Sequence, residues 1–512
     1  MNETHREMLE AAQLVYYKFW GENLNDILRP VPNYGDWKYL TEEQIVDLKL
    51  RRLLYGETVL LVREEYEVCY NALKDSNSGG VVVTGQPGIG KSCYLYYLLF
   101  RRLSEKKTVA FQVQRVIFLF QDTGVQILAN FSTEHFIPHG TWALCDSTAV
   151  TIIPCPTFLA ASTAGNAWIV QTCTPSRNRW SMWFNEQKAY LVWMEAFSEK
   201  EISALGLIKC LNVEDLCKNY QSWGPSARTC TSLMDKHQVV GYKWLVESAV
   251  YKFTRNFNQF DIEDMSVSHR IFVVWPCKAR LSVTAKFASD YILGLVSHAY
   301  AKLDLATRQS FHNTIGGPAW FGATAGYFFE SSVLLWLRHS PAGESLSCDP
   351  AEESYDKLKI PACRENMEFF SKLEDLKHVG DLKLPFCLVP TSQTFAAVDA
   401  IVLTKDNVIT VQMTIASRHD AKGTGLEKIY DGLPSKFLRA RTWCHVFLTD
   451  TEDKGKLLRR EKVADVKTKP IRVYSAFFDL DELDSILTIK RAEELKKVMV
   501  SRYWQYAIDT YW

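Results

Sequence analysis

The chain changes its hydrophobic period abruptly near residue 80. Four residues suited to a buried strand, Val81-Val82-Val83-Thr84, run into Gly85, and after a glycine-rich stretch the apolar Tyr94-Leu95-Tyr96-Tyr97-Leu98-Leu99 follows Ser92. A strand, a tight loop and a helix are predicted there in that order. Apolar stretches at 115–120, 142–145, 158–161 and 167–172 continue the alternation, which predicts a parallel sheet covered by helices. Residues 1–75 read as an aromatic-rich helical preface, closed by the polar break Lys74-Asp75-Ser76-Asn77-Ser78-Gly79-Gly80. The next span, 76–235, carries the strand and helix alternation. From 236 to 315 helical spacing dominates, with Tyr291-Ile292-Leu293-Gly294-Leu295-Val296 as one apolar helix, and the span reads as a lid or connector.

A second α/β segment is expected over 316–480. It holds a helix at 326–338, a polar loop-rich stretch at 340–350, a hairpin at 397–416 and a strand near 443–448, and residues 481–512 read as a helical tail. Within the hairpin the turn falls at Thr404–Asn407. Ile409, Val411, Met413 and Ile415 then share one face and Thr410, Gln412 and Thr414 the other, so a polar stripe is expected towards a cleft or solvent. The fold class is α/β multidomain.

Composition narrows the functional classes. With 512 residues, 47% hydrophobic and 23% charged, the chain is long enough for about three packed domains and unlike a disordered one. Lys and Arg balance Asp and Glu at 59 each, so nucleic-acid binding would need a local basic face. Such a run lies at Lys454–Arg472. The thirteen cysteines are scattered and never form Cys-x-x-Cys, which argues against a disulfide framework or a zinc ribbon. No signal-peptide core and no apolar run of membrane-spanning length is visible. An intracellular protein, cytoplasmic or nuclear, without a membrane partner is expected.

The loop Gly85-Gln86-Pro87-Gly88-Ile89-Gly90-Lys91-Ser92 has the spacing and the strand–helix setting of a phosphate cradle. Its glycines let backbone N–H groups turn towards phosphates, and the helix N-terminus adds the positive end of its dipole. Lys91 would neutralise β/γ-phosphate charge and Ser92 would give a hydroxyl to Mg²⁺. ATP with Mg²⁺ is therefore the expected ligand. Two acidic residues compete for the second metal position, Asp122 and Asp146; Asp146 is preferred because Asp122-Thr123-Gly124 reads as a hairpin turn. Ser147 stands where a hydrolytic Glu would follow, so slow turnover is expected. Arg177 and Arg228 are both candidates for a γ-phosphate sensor.

These motifs, with Trp142–Ser147, Gly224–Arg228, Val398-Asp399-Ala400, Val411-Gln412-Met413-Thr414-Ile415 and His419, give a resemblance to Crinkler-type and retrotransposon-hot-spot-type proteins. The resemblance covers most of residues 60–450. It implies a P-loop NTPase domain at 76–235 and a restriction-endonuclease-like domain at 316–480, the latter acting on or binding DNA, while homo-oligomerisation stays open. The Leu-x-Leu-Phe-Leu-Ala-Lys type header of oomycete members is absent, which points to a fungal-type member. Such nuclease folds hold Mg²⁺ with an Asp and an acid-x-Lys on adjacent strands, and Asp399 with Gln412-x-Thr414 is the match here. Glu330 on a helix and Lys422 beyond the strand are candidates to complete that site.

Overall fold

The computed structural model of the chain describes residues 3–50, 58–74, 79–128, 137–148, 151–255, 268–300, 303, 311, 322–341, 343–364, 366–370, 372, 383–390, 398–415, 423–433, 441–460, 463 and 470–478. The tail at 481–512 lies outside them. The protein is a mixed α/β molecule of two compact units, Met1–Ala249 with Phe260–Ser289, and Val250–Gln259 with Asp290–Trp512. Among the described residues no helix is long and apolar enough to cross a membrane.

The first unit opens with α1 (Glu3–Phe19), α2 (Leu24–Ile27), β1 (Arg29–Val31), β2 (Tyr34–Leu40), α3 (Glu42–Asp47), β3 (Leu60–Val62) and α4 (Glu64–Lys74). The preface is thus not all helical. Leu60, Leu61 and Val62 pair with Leu40, Tyr39 and Lys38, and this long-range pairing of an apolar run overrides the local helical spacing.

The central sheet has β4 (Gly80–Thr84), β5 (Val109–Val113), β6 (Val116–Gln121), β7 (Gly124–Leu128), β8 (Thr141–Asp146), β9 (Ala167–Thr172) and β10 (Tyr190–Trp193). Their order is β10-β4-β9-β8-β5-β6-β7. The first five are parallel, whereas β6 and β7 extend the sheet as an antiparallel meander. All five residues of β4 are buried, as a strand covered on both faces requires. Val81 and Val83 join the core built with α1, α4 and α5 (Lys91–Ser104), where Phe19 stacks on Phe100 at 4.2 Å. Val82 faces the other core, with Phe158 of α6 (Pro156–Thr163) and Trp183 of α7 (Ser181–Glu186). A three-residue 3₁₀ turn, Arg177–Arg179, precedes α7.

Beyond β10 come α8 (Glu199–Ile208), α9 (Val213–Trp223), α10 (Ala227–Ser232), α11 (Lys236–Arg255) and α12 (Ser268–Ile271). The expected helical connector then contains a hairpin, β11 (Phe272–Pro276) with β12 (Val283–Phe287). Helix α11 runs across the boundary at which the chain passes between units.

The second unit includes α13 (Asp290–Tyr300), α14 (Gly322–His339) and eight strands: β13 (Ser345–Pro350), β14 (Leu358–Pro361), β15 (Met367–Phe370), β16 (Phe386–Pro390), β17 (Ala400–Leu403), β18 (Asn407–Thr414), β19 (Thr442–Thr449) and β20 (Ile471–Phe477). Their order is β14-β13-β20-β19-β18-β17-β16-β15, with β18, β19 and β20 parallel. The stretch expected as loop at 340–350 is β13 in its second half, where Leu346 and Cys348 are buried between exposed Ser345 and Ser347. Leu426 and Ile429 of α15 (Gly423–Gly432) join a core with Ile401, Val408 and Trp443. Helix α16 (Glu452–Leu458) follows β19.

One buried charge ties the first unit together. Arg63, between β3 and α4, is 2% exposed. It donates to Glu201 Oε1 and Oε2 at 2.9 and 3.0 Å and to the carbonyls of Ile89 at 3.0 Å, Glu195 at 3.1 Å and Ala196 at 2.8 Å. Its guanidinium also lies 4.0 Å from the Phe197 ring centroid. Removing one partner of such a pair leaves a buried charge uncompensated. Arg63→Ala is expected to destabilise the first unit by about 3–5 kcal/mol. Urea unfolding checks this, and Arg63→Met combined with Glu201→Leu should recover part of the loss.

Candidate functional site

The predicted strand–loop–helix forms as β4, the loop 85–90 and α5. Gly88 and Gly90 take left-handed φ values of +77° and +86°. A Cβ at Gly88 would lie 2.5 Å from Ser226 Oγ, and one at Gly90 2.5 Å from the Tyr66 hydroxyl, so both positions exclude larger residues. Gly90 caps α5 without a side-chain acceptor, which leaves the first turn's N–H groups to face the loop. A cavity of about 500 Å³ opens there. Its walls include Gly88, Gly90, Lys91, Ser92, Asp146 and Arg228.

Ser92 Oγ donates to Asp146 Oδ2 at 2.7 Å, and Thr172 Oγ1 donates to Asp146 Oδ1 at 2.6 Å. The parallel register explains the meeting, because Asp146 and Thr172 are partners at the C-terminal ends of β8 and β9. Asp122 lies elsewhere. It follows β6, which runs antiparallel to β5, so it sits at the opposite end of the sheet, where its carbonyl accepts from Tyr16 Oη at 3.0 Å. Ser92 and Asp146 thus form a hydroxyl–carboxylate donor set that fits a hard divalent cation. Such a cation would shield phosphate charge.

Lys91 Nζ donates to the carbonyls of Gly85 at 2.8 Å and Gln86 at 2.6 Å. Burial lowers its pKa to about 8, against the raising effects of Cys173 and Asp146. Burial likewise raises the Asp146 carboxyl, while the Thr172 and Ser92 hydroxyls and the Lys91 charge pull it down. Both shifts have the same cause. The enclosed cradle disfavours either charge.

Of the two sensor candidates, Arg228 lines the cavity and Arg177 is exposed in the 3₁₀ turn. Arg228 is held by geometry around the loop: Ser226 caps α10 and donates to the Pro87 carbonyl at 3.2 Å. Arg179 was missed by the sequence reading, yet its Nη1 reaches Ser147 Oγ at 3.4 Å and the Thr148 carbonyl at 3.2 Å. No spacing rule separates Arg179 from Arg177 in sequence. Val59, Leu61, Phe197 and Leu205 give the cavity an apolar wall, with Lys209 nearby in the same lining.

In the second unit, Asp399 directly precedes β17, whose Ala400 pairs with Val411. The Asp399 N–H donates to the Val411 carbonyl, and its Oδ2 accepts the Met413 N–H, both at 2.8 Å. Antiparallel register puts Gln412 beside Asp399. The polar stripe expected towards a cleft or solvent is buried: Thr410, Gln412 and Thr414 are 0%, 2% and 6% exposed. The reason is that both faces of β18 are covered, as the burial of every residue from Val408 to Thr414 shows, with α14 among the elements that contact it. Buried His445 of β19, missed in sequence, meets Thr410 through Nδ1 and Oγ1 at 2.9 Å. Glu330 is half-buried on α14, whose Phe329 and Trp336 rings contact Phe478. Lys422 and His419 lie outside the described residues, as does much of the basic run at 454–472. Among the described residues no three His, Cys, Asp or Glu side chains gather as a metal site.

None of the known protein-family models matches the chain. Two curated proteins of Phytophthora infestans align with it over 422 residues: Crinkler effector protein 15 at 25% identity and Crinkler effector protein 16 at 26%. These relatives support a Crinkler-type protein. Each alignment covers 77% of this chain and 63% of the relative, so the chain spans less than two thirds of their length.

An anion held by this cradle would meet a pH dependence set by the Lys91 shift. Below about pH 8 the ammonium is present, and above it the charge is lost. Affinity for a triphosphate is therefore expected to fall as pH rises through about 8, by up to tenfold per unit. Titration of a fluorescent nucleotide across that range checks it. Lys91→Arg, which stays charged, should flatten the profile.

Proposed function

We propose that the chain is a nucleotide-operated switch of Crinkler type, in which the first unit binds ATP with Mg²⁺ and controls a restriction-endonuclease-like second unit that cleaves or binds nucleic acid. The observation that carries this reading is the Ser92–Asp146 hydrogen bond of 2.7 Å beside Lys91, at the mouth of a glycine loop. Backbone N–H groups of the loop and of the first turn of α5 would hold the phosphates, and Lys91 would exchange its carbonyl partners for phosphate oxygens. Ser92 and Asp146 would hold the cation. Ser147 supplies no general base, so the switch turns over slowly and occupancy is its main signal. Arg228, in the cavity wall, would read the terminal phosphate, and Arg179 would act through its contacts to Ser147 and Thr148.

A second reading is a nucleotide-regulated interaction protein of effector type, whose nuclease fold no longer cleaves. It is favoured by buried Gln412 and Thr414 standing where a metal-binding acid and a lysine are needed. Both relatives carry the word effector in their names.

Calorimetric titration tests the nucleotide site. Lys91→Ala is expected to abolish ATP binding with the fold intact, and Asp146→Ala to weaken Mg²⁺-dependent binding far more than Asp122→Ala does; the reverse order would remove Asp146 from the metal. Plasmid nicking separates the two readings of the second unit. If it cleaves, activity will need Mg²⁺ or Mn²⁺ and will be lost in Asp399→Ala, with Gln412→Ala milder, because a carboxylate gives a hard cation full charge. No nicking by the parent or by Gln412→Glu with Thr414→Lys leaves the interaction protein.

A further inference from the structure

Gln86 belongs to the phosphate loop, yet its side chain is engaged by the hairpin β11–β12. Its Nε2 donates to the carbonyls of Phe272 at 2.5 Å and His269 at 3.3 Å, and its Oε1 accepts the Val274 N–H at 3.3 Å. On an extended strand the carbonyl of one residue and the N–H of the next but one point the same way. The carboxamide therefore meets β11 as a peptide group of a third strand would. Gln86 is buried, so these bonds do not compete with water. The backbone carbonyl of the same residue accepts from Lys91 Nζ at 2.6 Å. One residue thus holds both the lysine of the cradle and the edge of the hairpin.

A second anchor sits at the hairpin's other end. Arg280 pairs with Glu65 at 2.6 Å and Glu195 at 3.0 Å, and its carbonyl accepts the Trp193 N–H at 2.9 Å. That anchor is charged and reaches α4 and β10 without touching the loop. The Gln86 anchor is neutral and rests on the loop itself.

We propose that Gln86 is a positioning residue that couples occupancy of the phosphate cradle to the hairpin Phe272–Phe287. The coupling rests on the nucleotide reading above. Lys91 has three N–H donors, two of them on the carbonyls of Gly85 and Gln86, so meeting more than one phosphate oxygen makes it release at least one of those carbonyls, and a released Gln86 carbonyl lets that peptide reorient. The carboxamide moves with its backbone, and its hold on β11 changes, while Arg280 keeps the hairpin turn in place. The chain leaves the hairpin at Phe287 and enters the second unit at Asp290, so the element that reports the nucleotide is covalently next to that unit.

Hydrogen exchange on the full chain, with and without Mg²⁺ and ATPγS, tests this. In the parent the Val274 amide should change its exchange rate about fivefold on nucleotide binding, the size expected of one neutral hydrogen bond. Gln86→Ala, brought to the same nucleotide occupancy as the parent by calorimetrically set ligand concentration, should show no nucleotide response at 272–276. Gln86→Glu keeps the size but cannot donate to the two carbonyls, and should lose the response too. Arg280→Ala should raise exchange across the hairpin and keep the response. A response in Gln86→Ala and Gln86→Glu equal to the parent's overturns the coupling. So does a parent that binds nucleotide without any change at Val274, which leaves the nucleotide reading standing. A parent that shows no binding in calorimetry retires both.

Discussion

The guanidinium of Arg63 is the point on which the first unit turns. A buried charge must find partners for every donor, and here they come from three places: α8 through Glu201, the loop through Ile89, and the segment after β10 through Glu195 and Ala196. The same side chain lies over Phe197, which lines the large cavity. Because the partners are fixed in direction as well as distance, the segment before α4, the glycine loop and α8 hold one mutual geometry. Glu65 and Glu195 extend the same logic to Arg280 and the hairpin. Their worth is in specifying an arrangement more than in net stability, since burying charges costs about what their attraction returns.

That arrangement brings opposite charges into a place that suits neither. Lys91 is pushed towards its neutral form and Asp146 towards its protonated form by the same enclosure. A ligand carrying several negative charges, arriving with a divalent cation, would relieve both at once, which is the electrostatic case for the proposed Mg²⁺-nucleotide. An anion without the cation would meet only half of the set. The hydroxyls of Ser92 and Thr172 keep the Asp146 oxygens aimed meanwhile.

The second unit has a different polar interior. Thr410 and His445 are bonded to each other across parallel strands, and Asp399 binds the backbone of Met413 beside Gln412. A central strand covered on both faces tolerates polar groups only when they find partners. The polar stripe of β18 is therefore part of the packing as well as the candidate site.

The loop from Gly85 to Ser92 and its flanking elements were legible because the chemistry is local: the glycines, the lysine and the change from strand to helix spacing all fall within a dozen or so residues of one another. The helices at 290–300 and 322–339 and the hairpin turn at 404–407 were legible for the same reason. The hairpin turn at 122–124, between β6 and β7, was legible too; the sheet of β1, β2 and β3, the antiparallel pairing of β6 on β5, the strand β13 and the hairpin β11–β12 were not, since strand pairing is decided by partners distant in sequence. Nor could spacing choose between Arg177 and Arg179, two residues apart on one turn. Sequence alone determined which residues have the right groups for a phosphate cradle. Only the tertiary structure decided that Asp146 meets Ser92, that Thr410, Gln412 and Thr414 are buried, and that Arg63 and Gln86 join segments over a hundred residues apart, because strand direction and burial are properties of the assembled sheet.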